Sequence, residues 1–101
     1  MREPLAVAFQ HRATHEIETI DGWWRLNRPS APDLFLRELE SMLSAIALMP
    51  ALGAPAKSSR VSGVRRVLLP RTRYHLHYRI RGKTLEVLAV WHAARGSGPG
   101  V

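Results

Sequence analysis

The alternation of apolar and polar residues between positions 73 and 82 is the most regular pattern in the chain. In the stretch RYHLHYRIRG, the apolar set is Tyr74, Leu76, Tyr78 and Ile80, and the polar set is His75, His77, Arg79 and Arg81. Period-2 alternation over this length predicts a strand with one buried face. The polar set carries imidazoles and guanidiniums but no carboxylate, so we expect this side to meet a negatively charged partner.

Shorter patterns predict three further strands. The first covers residues 5–10, and the others cover about residues 61–69 and 84–92. The RGKT turn around Gly82 joins the alternating strand, at residues 74–81, to the strand at residues 84–92 as a hairpin. One face of the last strand is expected to carry Leu85, Val87, Ala89 and Trp91, with Glu86, Leu88, Val90 and His92 opposite. Because both faces are mostly apolar, we expect this strand to lie inside the sheet.

Two helices are predicted between the first strand and the loop at residues 50–60. The first runs from residue 13 to 27, with its apolar stripe at Ala13, Ile17, Ile20 and Trp24. The second runs from about residue 31 to 49, with its stripe at Phe35, Leu39, Met42, Ile46 and Met49. Ser30 and Asp33 have the spacing of a capping box before it, and Pro50 ends it. A connection this short favours an antiparallel helical hairpin.

These elements predict a two-layer α+β fold of order β-α-α-β-β-β. It consists of an N-terminal strand, the helical hairpin and then a three-stranded antiparallel sheet, in a single domain over residues 1–101 with a flexible tail from about residue 94. If the hairpin covers one face of the sheet, the basic residues remain on the open face.

The charge distribution reinforces this expectation. The net charge is +7, but residues 1–56 carry −2, whereas residues 57–101 carry +9 with Glu86 as their one acid. A field of this kind favours polyanions or acidic protein segments. The chain has no cysteine and no apolar run of membrane-spanning length, so we expect a cytoplasmic protein without a membrane partner.

Several side chains are candidates for contact or chemistry. The arginines of the strand half are Arg65, Arg66, Arg71, Arg73, Arg79 and Arg81. Guanidiniums bind phosphate or carboxylate in a bidentate manner, and only one of Arg65 and Arg66 can share the face of Arg79. His92 and Arg95 follow the last strand, where an imidazole beside a guanidinium can serve acid–base chemistry on a phosphodiester. The alternative for His92 is a half-buried residue at the strand end.

Metal and cofactor sites are not expected. His75, His77 and His92 have a spacing that can bind a metal, but the surrounding arginines would repel a dication. We therefore interpret His75 and His77 as exposed imidazoles on an interaction face. Motifs for nucleotide cofactors or nucleophilic catalysis are absent from the sequence. Trp24 falls on the core stripe of the first helix, and we expect Trp23 in the core as well, with an exposed docking role as its alternative.

The whole pattern resembles the RelE/ParE superfamily of bacterial toxins. The matching segments are the loop MPALGAP, the strand GVRRVLL, the Y-x-L-x-Y-R strand from Tyr74 to Arg79, and VLAVWH followed by Arg95. The resemblance implies a growth-inhibiting toxin of a type II toxin–antitoxin, plasmid-stabilisation system. It also implies a cognate antitoxin whose C-terminal segment wraps the toxin in a hetero-oligomer.

The two branches of that superfamily imply different targets. The ParE-like branch inhibits DNA gyrase without catalytic residues, and here the contact surface would consist of Arg65, Arg66, Arg71, Arg73, His75, His77, Arg79, Arg81, His92 and Arg95. The RelE-like branch cuts mRNA on the ribosome, and its candidate catalytic residues here would be His92, His75, Arg65, Arg79 and Arg95. The last ten residues contain neither tyrosine nor lysine. Since the RelE-like tail tyrosine is missing, the resemblance favours the ParE-like branch.

Overall fold

One mixed five-stranded sheet organises the computed structural model, which describes residues 3–57 and 61–94. The elements in chain order are β1 (Ala6–Phe9), α1 (His11–Asn27), α2 (Leu34–Leu48), β2 (Ala54–Pro55), β3 (Arg65–Leu68), β4 (Tyr74–Arg81) and β5 (Thr84–His92). The order across the sheet is β1-β5-β4-β3-β2, and only β1 and β5 run parallel. β5 therefore lies inside the sheet, as its two apolar faces predicted. Within the described ranges, no helix is long and apolar enough to cross a membrane.

The helices cover one face of this sheet. Buried residues of α2, including Phe35, Leu39 and Ile46, form one core cluster with Leu76 and Tyr78 of β4. The predicted stripe of α1 joins the same cluster, with Ala13 buried and Ile17, Ile20 and Trp24 packed against it. We call this side of the sheet the helix face and the other side the open face. The predicted two-layer α+β fold is confirmed.

A β-bulge in β5 changes which residues share a face. His77 pairs with Ala89, but Tyr78 pairs with Val87, so Leu88 is an extra residue in β5. Paired residues in a ladder point to the same side. Beyond the bulge, Val90 and His92 therefore lie on the helix face, while Ala89 and Trp91 lie on the open face. The prediction that Ala89 and Trp91 continue the face of Leu85 and Val87 is wrong for this reason.

The segment before β4 also differs from the prediction. The strand expected from residue 61 begins only at Arg65, because a turn at Ser62–Gly63, where Gly63 has φ 75°, interrupts it. Part of the predicted loop forms the short edge strand β2, whose Ala54 pairs with Arg66. Ala56 N–H extends this pairing with a 2.8 Å hydrogen bond to the carbonyl of Val64. The described residues therefore form five strands rather than the four that were predicted.

Two local expectations about α2 also fail. Met49 lies beyond the last residue of α2 and is 61% exposed, because the helix ends at Leu48. Asp33 occupies the N-cap of α2 without a side-chain capping bond, and it pairs with Arg37 at 3.3 Å instead of completing a capping box.

Candidate functional site

Basic side chains gather on the open face. The strand register places Arg66 beside His77, and it places His75, His77, Arg79 and Arg81 on the same side. Arg73, in the turn before β4, is close enough to His75 to lower the pKa of that imidazole. We call this set the basic face: Arg66, Arg73, His75, His77, Arg79 and Arg81. Of the two adjacent arginines whose orientation the sequence left open, Arg66 lies on the open face.

Glu86 neutralises one end of the basic face. Its carboxylate accepts a 2.6 Å hydrogen bond from Nε of Arg79 and lies 3.6 Å from Arg81. At the other end, Arg66 and Arg73 have no carboxylate within ion-pair distance among the described residues. The positive charge that remains available is therefore concentrated around Arg66 and Arg73.

The histidines of this face are less exposed than the sequence suggested. His77 is only 6% exposed, and burial together with Arg66, His75 and Arg12 lowers its pKa to about 4. His75 is half-buried, and burial, followed by Arg66 and Arg73, lowers its pKa as well. Both imidazoles are consequently neutral near pH 7. The expectation of two exposed imidazoles is wrong, because His77 is buried and His75 is half-buried in the sheet surface.

A turn held by α2 positions Arg71 and Arg73. The carboxylate of Glu38 accepts hydrogen bonds from the backbone N–H of Arg71 at 2.7 Å and from the N–H and hydroxyl of Thr72 at 2.9 and 2.6 Å. Arg73 adopts a left-handed backbone conformation, with φ 70°. Its N–H donates to the carbonyl of Leu69, and its own carbonyl accepts from Ala93 N–H, both at 2.8 Å. Arg71 and Arg73 are thus both exposed beside the end of β5.

Arg65 belongs to a different, structural network. It pairs with Tyr78, on the helix face, and donates a 2.6 Å hydrogen bond to the carbonyl of Gly53. The Tyr78 hydroxyl accepts from Gly53 N–H and donates to the carbonyl of Pro50, both at 2.8 Å. A Cβ at Gly53 would lie 2.8 Å from that hydroxyl oxygen. Arg65 therefore ties the loop before β2 to the core rather than joining the basic face.

His92 also lies away from the basic face. Its ring packs edge-on against Tyr74 with 5.0 Å between centroids, on the helix face of the sheet. The Nδ1 atom accepts a 3.0 Å hydrogen bond from Ala94 N–H, which identifies the tautomer protonated at Nε2. The structure thus separates His92 and Arg65 from His75 and Arg79, although the sequence grouped all four as catalytic candidates. Arg95 lies outside the described residues.

A pocket of about 670 Å³ opens between α1 and the ends of β4 and β5. We call it the aromatic pocket. Its lining residues are His15, Glu16, Thr19, Ile20, Trp23, Trp24, Arg28, Thr72, Tyr74, Val90, Trp91 and His92. Trp23 is 45% exposed, so the expectation that it lies in the core is wrong. Arg28 lies over the Trp23 ring, 5.0 Å from its centroid. This pocket is adjacent to the basic face but shares no residue with it.

Glu16 and Glu38 position parts of the candidate site, and sequence reasoning missed both. The carboxylate of Glu16 accepts a 3.0 Å hydrogen bond from Val90 N–H, where β1 no longer covers the edge of β5. Glu38 holds the turn at Arg71 and Thr72 in a comparable way. Both contacts join residues more than 30 positions apart, and local patterning carries no signal for them. Across the described residues, no group of three possible metal ligands comes together.

Comparisons with known proteins agree with this architecture. A family model described as the ParE toxin of the type II toxin–antitoxin system parDE matches residues 7–96. The chromosomal ParDE system of P. aeruginosa contains a chain with a TM-score of 0.67 and 20% identity, over 87% of this chain and 95% of that one. A chain of the E. coli DinJ–YafQ complex has a TM-score of 0.66 and 12% identity, over 95% of this chain and 100% of that one. A chain of the RelBE2 complex from Mycobacterium tuberculosis has a TM-score of 0.59 and 22% identity, over 89% of this chain and 99% of that one. A search of curated proteins found no match.

Proposed function

Because the chain belongs to the ParE toxin family of type II toxin–antitoxin systems, we propose that it inhibits DNA gyrase through its basic face and is neutralised by a cognate antitoxin. The observation that carries the proposal is the pair Arg66 and Arg73, whose guanidiniums have no carboxylate partner among the described residues. Uncompensated guanidiniums on a rigid sheet bind carboxylates or phosphates bidentately. A gyrase–DNA complex presents both groups.

The split of the histidines and arginines between two faces supports inhibition by binding rather than by cleavage. General acid–base cleavage needs a proton donor and a proton acceptor at the same phosphodiester. His92 lies on the helix face, whereas His75 lies on the open face. The sheet therefore stands between the two imidazoles that the sequence offered as partners in catalysis.

A ribosome-dependent mRNA endonuclease is the second candidate. The observation in its favour is the position of His75, a neutral imidazole close to Arg66 and Arg73 on one surface. In that arrangement, His75 would accept a proton from the ribose hydroxyl while the guanidiniums hold the phosphate. Arg79 contributes less, because Glu86 already occupies it.

A supercoiling assay on the purified, antitoxin-free chain tests the proposal. We expect the wild type to inhibit gyrase. The double variant Arg66→Ala/Arg73→Ala should reach the same inhibition only at a protein concentration at least about tenfold higher. The matched control is Arg25→Ala/Arg37→Ala, which removes two exposed arginines that are paired with acids on the helices. We expect it to act like the wild type.

The same preparations distinguish the second candidate. They are added to a translation extract, and mRNA cleavage is mapped by primer extension. Two results together would establish the endonuclease and refute gyrase inhibition. The wild type would cleave mRNA while His75→Ala does not, and gyrase would supercoil DNA equally well with and without the wild-type chain. Equal loss of inhibition in the test and control variants would refute a role specific to the basic face.

A further inference from the structure

The open face carries aromatic rings as well as guanidiniums, and gyrase contact through the guanidiniums gives the rings no task. Trp91 and His75 are paired across β5 and β4, and both are half-buried, so part of each side chain is accessible. We propose that these two rings stack on an unpaired base of a DNA strand while Arg66 and Arg73 bind its phosphates. This inference rests on the proposed function, because gyrase is what brings DNA to this surface.

The rings form a row on one side of the sheet. Residues that pair directly in an antiparallel ladder have Cβ atoms about 4.5–5.5 Å apart, so the Trp91 indole and the His75 imidazole are neighbours. The ring centroids of His75 and His77 lie 6.4 Å apart. We call Trp91, His75 and His77 the aromatic row. Because His77 is buried, contact with a base falls to Trp91 and His75.

Guanidiniums flank the aromatic row without interrupting it. Arg66 pairs with His77 in the register, and both Arg66 and Arg73 are close enough to His75 to lower its pKa. Both arginines are exposed, and neither has a carboxylate within ion-pair distance in the described ranges. Proteins bind single strands with this combination, in which positive charge follows the phosphates and aromatic side chains stack on the bases.

The imidazoles of the aromatic row are uncharged near pH 7, which suits stacking. Burial and the neighbouring arginines lower the pKa of His75, and burial with Arg66, His75 and Arg12 lowers that of His77 to about 4. A neutral ring can be covered by a base without the cost of removing a charge from water. The rings and the guanidiniums therefore have separate tasks, the former on the base and the latter on the phosphates.

The position of the aromatic row favours an unpaired base over a duplex. The row lies within β4 and β5, on the surface of the sheet rather than on a projecting element. Bases inside a duplex expose only their edges, in grooves that a helix or a β-ribbon must enter. Aromatic side chains on a sheet surface instead receive bases that have left the stack. The ligand is therefore a single strand, or a strand that is locally unpaired.

Fluorescence anisotropy of the antitoxin-free chain tests the inference, with labelled oligo(dT) of about ten nucleotides as the probe. Trp91→Ala should weaken the Kd about tenfold, and Trp91→Phe by less than about threefold, because phenylalanine keeps a ring for stacking. Trp91 also lines the aromatic pocket, so the matched control is Trp23→Ala, which alters that pocket from α1 on the helix face. We expect Trp23→Ala to bind the probe like the wild type.

The salt dependence of binding separates stacking from charge. Each phosphate that a guanidinium binds adds about 0.7 to the slope of log Kd against log salt concentration for a single strand. Arg66→Ala/Arg73→Ala should therefore lower this slope by about 1.4, whereas Trp91→Ala should leave it unchanged. An abasic strand of the same length keeps the phosphates, and the wild type and Trp91→Ala should bind it equally.

A second variant keeps the test decisive if circular dichroism shows that Trp91→Ala does not fold. His75→Ala should then weaken binding of oligo(dT) but not of the abasic strand. Unchanged affinity for oligo(dT) in the folded variant, or equal affinity of the wild type for oligo(dT) and the abasic strand, would overturn the inference. Tighter binding of oligo(rU) than of oligo(dT) would also overturn it, because the ligand would then be RNA. If base-dependent DNA binding is found but the wild type does not inhibit gyrase, the proposed target fails and the base site stands.

Discussion

The arginines of the two helices are compensated very differently from those of β3, β4 and the turn that joins them. The helical arginines Arg12, Arg25 and Arg37 pair one turn away with Glu16, Asp21 and Asp33, respectively. In the strands, Glu86 is the one acid and is shared between Arg79 and Arg81. Arg66, Arg71 and Arg73 have no acidic side chain within ion-pair distance among the described residues.

This difference shows which surface offers a charged partner the largest electrostatic contribution to binding. Exposed pairs one turn apart on a helix contribute little and are screened by salt, so the helical charges are locally balanced and attract little from outside. The strand charges remain unbalanced on a rigid surface, which favours electrostatically steered association. Total charge would not reveal this, because it averages a nearly neutral half with a strongly basic half.

Protonation of His77 should produce the largest effect on this contrast, because it places a charge on a buried side chain that lies beside Arg66. With a folded-state pKa of about 4, against about 6.5 in the unfolded chain, the unfolded state binds more protons between those values. Stability should therefore be complete above pH 6.5 and fall by about 3 kcal/mol as the pH drops to 4. Urea unfolding of wild type and His77→Gln across this range checks it. If the free energy of unfolding changed with pH in the same way in both proteins, the loss of stability could not be assigned to His77.

Removing Glu38 should have the next largest effect, because this carboxylate links the helical half to the strand half. Glu38→Ala leaves the N–H groups of Arg71 and Thr72 and the Thr72 hydroxyl without their acceptor. We expect a loss of about 2 kcal/mol in the free energy of unfolding. Glu40→Ala, at an exposed position of α2, is the matched control and should change stability by less than about 0.5 kcal/mol. Similar losses in both variants would show that the turn does not depend on Glu38.

The smallest effects distinguish the two kinds of ion pair. Glu86→Gln weakens a partly buried cross-strand pair with Arg79 and should cost about 1 kcal/mol. Asp21→Asn weakens the exposed helical pair with Arg25 and should cost about 0.3–0.5 kcal/mol. Chemical denaturation at low and high salt should show the larger salt dependence for the helical pair. The opposite ranking would mean that the two regions do not differ in the way their charges are held.

Local patterning was sufficient for the parts of the fold that follow one uninterrupted period. β4 and β5 span residues 74–81 and 84–92 as predicted, because alternation and the Gly82 turn define their limits. The apolar stripe of α1 was also confirmed, because period 3.6 places Ala13, Ile17 and Trp24 on one side.

Features that depend on contacts distant in sequence were not predictable. The extra residue Leu88 leaves no mark on the composition of β5, yet it reverses the orientation of His92. Likewise, the choice between Arg65 and Arg66 depended on the pairing of β3 with Tyr78 and His77. The candidate site was therefore predicted as a set of residue types on the right strands, but its division between two faces required the register.

The bulge at Leu88 gives the last strand one residue that its pairing with β4 does not use. Deleting that codon would join Val87 directly to Ala89, which would still pair with His77, so Trp91 would stay on the open face and His92 on the helix face. Deleting a residue between Ala89 and His92 instead would shift the register beyond the bulge and turn the residues on one side of that deletion to the other face. The tolerance of this strand to a lost codon therefore depends on which codon is lost.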